Sequence, residues 1–174
     1  MKLIHTIHSY DVSVFTWVMR RKSQKFLVAC ARGLSKTGDG YLYLVLALGL
    51  LWTQGADEMR LLSCMALALL MERPLYFVLK NVCRRDRPPV VLNIKSFIVP
   101  SDRFSFPSGH TSAAFLMATL LAWYLPFWVP ALFAWAVLVG MARVVLGVHF
   151  PTDTLIGAVM GSSAALLSMG VVLA

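Results

Sequence analysis

Long stretches without a charged residue are the feature that most constrains this chain. Phe104–Ala142 has no Asp, Glu, Lys or Arg, Thr154–Ala174 has none, and Tyr41–Ala56 is a third such stretch. A helix that crosses a bilayer needs about 20 mostly apolar residues. With 59% hydrophobic and only 14% charged residues, and a mean hydropathy of +0.73, the sequence predicts an integral membrane protein.

The apolar stretches predict an all-α fold, a polytopic membrane helix bundle with about five spans. Residues 1–36 contain shorter apolar runs broken by basic residues, which indicates two interfacial amphipathic helices with Phe15 and Trp17 in the lipid. We therefore divide the chain into this interfacial segment and one membrane-embedded helix bundle, residues 37–174. The expected spans are residues 41–54, 59–80, 109–125, 131–146 and 152–172.

Charge and cysteine content argue against several classes of protein for this chain: secreted, disulfide-bonded, zinc-binding and nucleic-acid-binding proteins. Residues 1–25 carry charges throughout, so we expect no signal peptide. Three cysteines without C-x-x-C spacing predict neither a disulfide framework nor a zinc site. A net charge of +8 suits lipid headgroups, topology signals or an anion site. We expect no nucleic-acid partner, because few of the basic residues lie on a soluble surface.

Three polar segments are expected to converge on one membrane face. If the first span starts at Gly40 on that face, the second span returns to it and the third starts there. The fourth span ends on the same face and the fifth leaves from it. Ionisable groups at a membrane edge are candidates for a functional site. The candidates are Lys80, Arg87, Ser108, Gly109, His110, Arg143, His149 and Asp153.

The first two segments contain groups that suit a phosphate. Lys80 and Arg87 are cations of the kind that bind phosphate, or else they end a helix and reach headgroups. Ser108 is a good N-cap, and Gly109 allows an anion to approach the free N–H groups of a helix start. His110 then lies beside the bound anion. The alternative is that Ser108 only caps the helix and His110 faces water.

The third segment pairs a histidine with an acid. Gly147 should break the fourth span, after which Pro151 suits the first turn of the next helix. Asp153, four residues after His149, could then reach one ring nitrogen and leave the other as a nucleophile. The alternative is a capping aspartate beside an interfacial histidine.

Three motifs carry a resemblance to a known family. They read KNVCRRDRP from Lys80, PSGH from Pro107 and ARVVLGVHFPTD from Ala142. Because these motifs occur in this order, the chain resembles the type 2 phosphatidic acid phosphatase superfamily. Within it, the chain resembles membrane lipid phosphate phosphatases such as undecaprenyl-diphosphatase and phosphatidylglycerophosphatase B. The resemblance covers roughly residues 37–174. One departure is Ala142, where the family usually has serine, and we expect this to reduce phosphate affinity without removing the chemistry.

The resemblance implies a metal-independent phosphatase that needs no cofactor. By resemblance, His149 attacks phosphorus, Asp153 orients it, and His110 protonates the leaving oxygen and then activates water. Five positions would hold the phosphate oxygens electrostatically, in the role that Mg²⁺ has in other phosphoryl transfers. These are Lys80, Arg87, Ser108, Gly109 and Arg143. The sequence has no acidic cluster near the motifs that suits a divalent metal.

The expected substrate is a lipid phosphate or diphosphate in the bilayer, such as undecaprenyl diphosphate, phosphatidylglycerophosphate or phosphatidic acid. Two alternatives stay open: a phosphotransferase that uses the same phosphohistidine, and a non-catalytic protein that binds or transports lipid phosphates. The positive-inside rule would place the candidate face in the cytoplasm. The resemblance instead implies a multi-pass protein of a bacterial inner membrane with its site facing the periplasm or exterior, and we adopt that expectation.

Glu72 and Arg73 are two charges in the middle of the second expected span. As helix neighbours they should not pair with each other. We expect either partners on adjacent helices or a polar wall along the path of a lipid. Arg73 precedes Lys80 by seven residues, which places it on the same helix face about 10 Å deeper.

Overall fold

The structure, a computed structural model, describes residues 2–20, 24–100 and 102–174. Within these residues, all regular secondary structure is helical, as expected. The helices are α1 (Lys2–Met19), α2 (Gln24–Thr37), α3 (Gly40–Thr53), α4 (Ala56–Cys83), α5 (Pro88–Leu92), α6 (Gly109–Tyr124), α7 (Val129–Val145) and α8 (Pro151–Val172). A short 3₁₀ turn, Pro126–Trp128, joins α6 to α7.

The protein is an integral membrane helix bundle, although fewer of its helices than expected are long enough to cross a bilayer. Three stretches among the described residues are long and apolar enough to cross a bilayer: Ala56–Leu92, Pro126–Val145 and Pro151–Val172. With 14 and 16 residues, α3 and α6 are about 21 and 24 Å long, shorter than a hydrocarbon core of about 30 Å. The expected count of five spans is therefore approximate.

The central contact of the bundle is between α6 and α8. A Cβ atom added to Gly161 would lie 2.0 Å from the carbonyl oxygen of Ser112, and one added to Gly157 would lie 2.6 Å from that of Ser108. Only glycine therefore allows the two backbones to approach this closely. The approach brings the first residues of the two helices together, and the Ser108 N–H donates to the Asp153 carbonyl oxygen at 3.0 Å.

The N-terminal helices pack against the bundle. The prediction that Phe15 lies in lipid is wrong, because its side chain is fully buried and packs against Val144 and Phe150. Trp17 is exposed, as expected. Helix α2 packs against α7 through Val28 and Ala31. The basic residues Arg21 and Lys22 lie outside the described residues, and the domain boundary at residue 36 stays a prediction.

Candidate active site

The predicted residues meet at one end of the bundle. This end contains the start of α3, the ends of α4 and α7, and the starts of α6 and α8. Most of the predicted residues are buried there despite being polar or charged. Because unpaired buried charges are unfavourable, the partners of each one indicate what the site can do. The buried residues are Lys80, Arg87, Ser108, Arg143, His149 and Asp153.

His149 lies in the turn between α7 and α8. Gly147, with φ of +79°, ends α7 in a left-handed conformation that favours glycine, as the sequence predicts. The Nε2 atom of His149 is 3.5 Å from Nη1 of Arg87. A guanidinium group has no acceptor, so this contact favours a lone pair on Nε2 and the proton on Nδ1.

Burial gives His149 the protonation state of a nucleophile. Burial, together with the positive charges of Arg87 and Arg143 and against the opposing effect of Asp153, lowers the pKa of the imidazole to about 4. The ring is therefore neutral at neutral pH. A neutral imidazole held beside cations that can bind phosphate is able to attack phosphorus.

Asp153 is near His149, but the expected hydrogen bond is not formed. Its Oδ2 atom is 3.8 Å from Nδ1 of His149, and Nδ1 has no hydrogen-bond partner among the described residues. The carboxylate instead accepts from the Phe150 N–H at 2.7 Å, from Arg85 at 2.8 Å and from the Ser105 hydroxyl. The two atoms are therefore within ion-pair distance but beyond hydrogen-bond distance, and the acid also caps α8. That Asp153 orients His149 stays a prediction.

One carboxylate holds two of the predicted phosphate cations. Asp102 accepts from Nζ of Lys80 at 2.7 Å and from Nη2 and Nε of Arg87, the latter through its carbonyl oxygen at 3.0 Å. Burial alone would raise the pKa of Asp102, but the hydrogen bonds and charges of Lys80 and Arg87 lower it below its ordinary value. Asp102 is thus ionised at neutral pH and lies where these cations would hold a phosphate.

Arg143 carries the one buried guanidinium donor that is without a partner among the described residues. Its Nη1 donates to the Ser35 hydroxyl at 2.8 Å, whereas its buried Nε makes no hydrogen bond.

Ala142, the departure from the family motif, is buried in an apolar cluster with Val28 and Leu146. A serine hydroxyl would gain nothing polar in that cluster, so this packing does not support the expected loss of phosphate affinity.

The start of α6 offers fewer free N–H groups than expected. Ser108 is at the N-cap position but makes no side-chain capping bond, and its hydroxyl is 2.9 Å from that of Thr111. The prediction that the Ser108 N–H binds phosphate is not supported, because that group donates to Asp153. The N–H groups of Gly109 and His110 have no acceptor within the helix and remain suited to an anion. A side chain at Gly109 would press on Tyr76, 3.0 Å away.

His110 has an acidic partner that the sequence did not predict. Its Nε2 is 2.9 Å from Oδ1 of Asp39, in the turn before α3. The two residues also line two cavities. One, of about 600 Å³, runs along α3, α4 and α6 past apolar side chains, and the other, of about 360 Å³, is lined by Arg32, Lys36 and Arg143.

Glu72 and Arg73 pair with each other, contrary to the prediction. Arg73 donates to both carboxylate oxygens of Glu72, from Nη2 at 2.7 Å and from Nε. Glu72 is fully buried and also accepts from the Ser112 hydroxyl at 2.5 Å. Arg73 lines the larger cavity. The pair therefore links α4 to α6, and Arg73 places a charge on the wall of the larger cavity. That this wall borders the path of a lipid stays a prediction.

Sequence reasoning missed the acids and the helper cation of the site. Asp39 and Asp102 lie in polar turns, and nothing in their local sequence indicates a partner 71 or 22 residues away. Arg85 is not among the predicted site residues, yet it donates to Asp153 at 2.8 Å and to Asp11 of α1 at 2.5 Å. Its position within the first motif, two residues before Arg87, is the signal that could have found it.

Among the described residues, no group of three or more His, Cys, Asp and Glu side chains is placed to hold a metal ion. The acids of the site are each bound to cations or to backbone groups. Metal independence stays a prediction that an assay has to test.

These features define a class of protein: a helical membrane protein with a buried, cation-lined histidine site at one end of its bundle. Comparison with known proteins then gives the family. Residues 57–174 match the model of the PAP2 superfamily. The chain belongs to that superfamily.

Its relatives include named phosphatases. The decaprenylphosphoryl-5-phosphoribose phosphatase of Mycobacterium tuberculosis is 30% identical over 79% of this chain and 76% of its own length. The Mycolicibacterium smegmatis protein of the same name is 40% identical over 46% of this chain, and phosphatidylglycerophosphatase B of Bacillus subtilis is 38% identical over 52%. These last two matches span only 43% and 47% of the relatives themselves.

Two solved structures share the fold over nearly the whole chain. The crystal structure of Aquifex aeolicus LpxE has a TM-score of 0.80, is 28% identical, and matches 91% of this chain and 94% of its own. The PAP2-type phosphatidylglycerolphosphate phosphatase from Bacillus subtilis has a TM-score of 0.75 and 28% identity, with 95% of this chain and 86% of its own covered. The all-α membrane fold is thus confirmed.

Proposed function

We propose that this protein is a membrane phosphatase that hydrolyses the terminal phosphate of a lipid phosphate or diphosphate through a phosphohistidine on His149. One observation carries the proposal: the buried imidazole of His149 has its Nε2 atom 3.5 Å from Nη1 of Arg87, at the bundle end that also contains the buried Lys80 and Arg143. The named activities of the relatives agree with it.

The first step forms the phosphohistidine. Nε2 of His149 attacks phosphorus, the P–N bond forms, and the bond from phosphorus to the leaving oxygen breaks. His110, in the imidazolium form, gives its proton to that oxygen. Lys80, Arg87 and Arg143 bind the negative oxygens of the phosphoryl group. Their positive charge stabilises the transition state in place of solvating water.

The second step releases phosphate. His110, now neutral, takes a proton from a water molecule, which attacks phosphorus as the P–N bond breaks. Inorganic phosphate leaves and both histidines return to their starting states. Before the first step, the phosphate group of the substrate must displace the Asp102 carboxylate from Lys80 and Arg87, because the carboxylate is bound to both cations.

The larger cavity supports a lipid substrate. It starts at Gly109 and His110 and continues along α3 and α4 past Leu44, Leu62 and Leu69. This lining suits a hydrocarbon chain whose phosphate lies at the polar end. Undecaprenyl diphosphate, phosphatidylglycerophosphate and phosphatidic acid all fit this description.

The assay uses the protein purified in detergent and a panel of these lipids, with phosphate release as the measurement. We expect release by the wild type, and loss of it in His149→Ala. His8→Ala is the control, because His8 is an exposed histidine of α1. Equal release by His149→Ala would overturn the proposal. Release that EDTA abolishes and Mg²⁺ restores would contradict metal independence.

The same assay separates the alternatives. A phosphotransferase would move phosphate to an added lipid alcohol faster than to water, whereas a binding or transport protein would bind the lipid and release nothing.

For the location of the protein, we propose a bacterial inner membrane with the site facing the periplasm. A membrane-impermeant maleimide should then label Asp86→Cys, in an otherwise cysteine-free chain, on intact spheroplasts. Residue 86 is exposed in the loop after α4.

A further inference from the structure

Asp39 occupies a capping position without capping the helix. It is the N-cap residue of α3, a position where an aspartate normally accepts from a free N–H of the first turn. Its side chain makes no such bond. Its Oδ1 atom instead lies 2.9 Å from Nε2 of His110, across the bundle end on α6. The carboxylate thus binds the imidazole of His110 and does not cap its own helix.

This contact fixes the state of the imidazole. An ionised carboxylate only accepts hydrogen bonds, so the proton between the two groups belongs to Nε2 of His110. Nδ1 is then the nitrogen that remains for the substrate. Orientation of a histidine by an acid at its other nitrogen is the arrangement that a general acid–base residue needs.

Asp39 and His110 also stand at the junction of the two cavities described above. Both residues line the apolar cavity along α3 and α4, and both line the smaller cavity that contains Arg143. A leaving group that extends from a phosphate beside Arg143 into the apolar cavity would pass them. The pair is therefore placed at the oxygen that has to receive a proton.

We infer that Asp39 is the positioning residue of His110, holding Nε2–H so that Nδ1 delivers the proton to the leaving oxygen. This inference rests on the proposed function. When the phosphorus–oxygen bond breaks, the proton on Nδ1 moves to the leaving oxygen, and Asp39 keeps its hydrogen bond and gains no proton. In the second step water returns a proton to Nδ1, and Asp39 stabilises the imidazolium that forms.

The pH dependence of the reaction carries the signature of this role. Burial and the charge of Arg143 of α7 lower the pKa of His110, and the carboxylates of Asp39 and of the loop residue Asp102 oppose this shift. Asp39→Asn removes one stabilising charge, so the loss of activity on the alkaline side should begin at a lower pH than in the wild type. The other charged or titratable groups that line the two cavities are Arg32, Lys36, Tyr43, Arg73 and Tyr76.

The decisive measurement compares two leaving groups. Phosphatidic acid has an alkoxide leaving group that requires protonation, whereas 4-nitrophenyl phosphate leaves with little help. For Asp39→Asn we expect kcat to fall about tenfold to a hundredfold on phosphatidic acid and less than about threefold on 4-nitrophenyl phosphate. Asp57→Asn, at an exposed aspartate in the first turn of α4 and thus at the opposite end of that helix from Lys80, is the matched control and should change neither rate.

Three outcomes decide the inference. An equal loss on both substrates, or an unchanged pH profile, would show that Asp39 is only structural and would overturn it. A further loss when Asp39→Asn is added to His110→Ala would also overturn it, because a positioning residue has nothing left to position. If His149→Ala were fully active, the proposed function itself would fail, and the two failures are thus distinguishable. The isosteric asparagine, checked by its melting temperature, avoids loss of the fold.

Discussion

The bundle end contains two histidine–aspartate pairs with opposite geometry. His149 and Asp153 are four residues apart, yet Nδ1 and Oδ2 are 3.8 Å apart, and Asp153 accepts shorter hydrogen bonds from other donors. His110 and Asp39 are 71 residues apart and form a direct 2.9 Å contact. Closeness in sequence therefore does not predict the shorter contact, because a carboxylate binds whichever donors the fold supplies.

The largest expected effect tests the division of labour between the two histidines. His149→Ala should lower kcat by about 10⁴-fold or more, because it removes the nucleophile. His110→Ala should still form the phosphoenzyme from 4-nitrophenyl phosphate but hydrolyse it slowly. Rapid quenching in alkali with ³²P-labelled substrate measures the phosphohistidine, which should accumulate in His110→Ala and be absent in His149→Ala. Labelled phosphoenzyme in His149→Ala would reverse the assignment.

The second prediction contrasts the two acids. Asp153→Asn should reduce activity at least about a hundredfold and destabilise the fold by up to about 3 kcal/mol, because it leaves Arg85 without one buried partner and weakens the cap of α8. Asp39→Asn should leave the melting temperature within a few degrees of the wild type. Similar melting temperatures for both variants would show that Asp153 has no structural role.

The third prediction concerns stability and pH. The pKa of His149 is about 4 in the fold and about 6.5 in the unfolded chain, so between these values the unfolded state binds more protons. Stability should therefore rise with pH across this window, by at most about 3 kcal/mol from this group. Melting temperatures from pH 4 to 7 measure the slope, and His149→Gln should flatten it. An unchanged slope in that variant would assign the dependence to other groups.

The fourth prediction examines the carboxylate that competes for the phosphate cations. Asp102→Asn should strengthen inhibition by inorganic phosphate about three- to tenfold, because phosphate no longer displaces a charge from Lys80 and Arg87. Product inhibition in the detergent assay gives the constant. Weaker inhibition would mean that Asp102 holds these cations in position and does not compete with the ligand.

The smallest expected effect is at the departure from the family motif. Ala142→Ser should change kcat/KM less than about threefold, because the side chain packs among apolar neighbours of α2 and α7. A gain of tenfold or more would show that the motif serine reaches the site in spite of this packing.

The sequence predicted the fold class and the meeting of the motifs well, for physical reasons. Uncharged stretches predict membrane helices reliably, and the order of spans places their polar ends on one side, so Lys80, His110 and His149 were expected together. The direct pairing of Glu72 with Arg73 and the burial of Phe15 were not predictable. Both depend on how helices rotate and pack, which periodicity does not determine in a chain that is apolar on most faces.

The partners of the missed acids could not be found either. Asp39 lies in a TGDG turn and Asp102 in a polar loop, and both sequences are typical of solvated turns. Their contacts depend on long-range approach, for which a single sequence has no local signal. The backbone contact between α6 and α8 at Gly161 belongs to the same group.

The carboxylate of Asp102 has a consequence for the protein between catalytic cycles. A pocket that binds a dianion must concentrate positive charge, and such charges repel one another when the dianion is absent. Here the resting protein supplies its own counterions: Asp102 for two cations, Asp153 and Asp11 for Arg85. Among the described residues, Arg143 is the site cation without an acid in ion-pair contact. The charges of the site are thus close to balanced, and Arg143 is the buried cation whose charge is left for a phosphate.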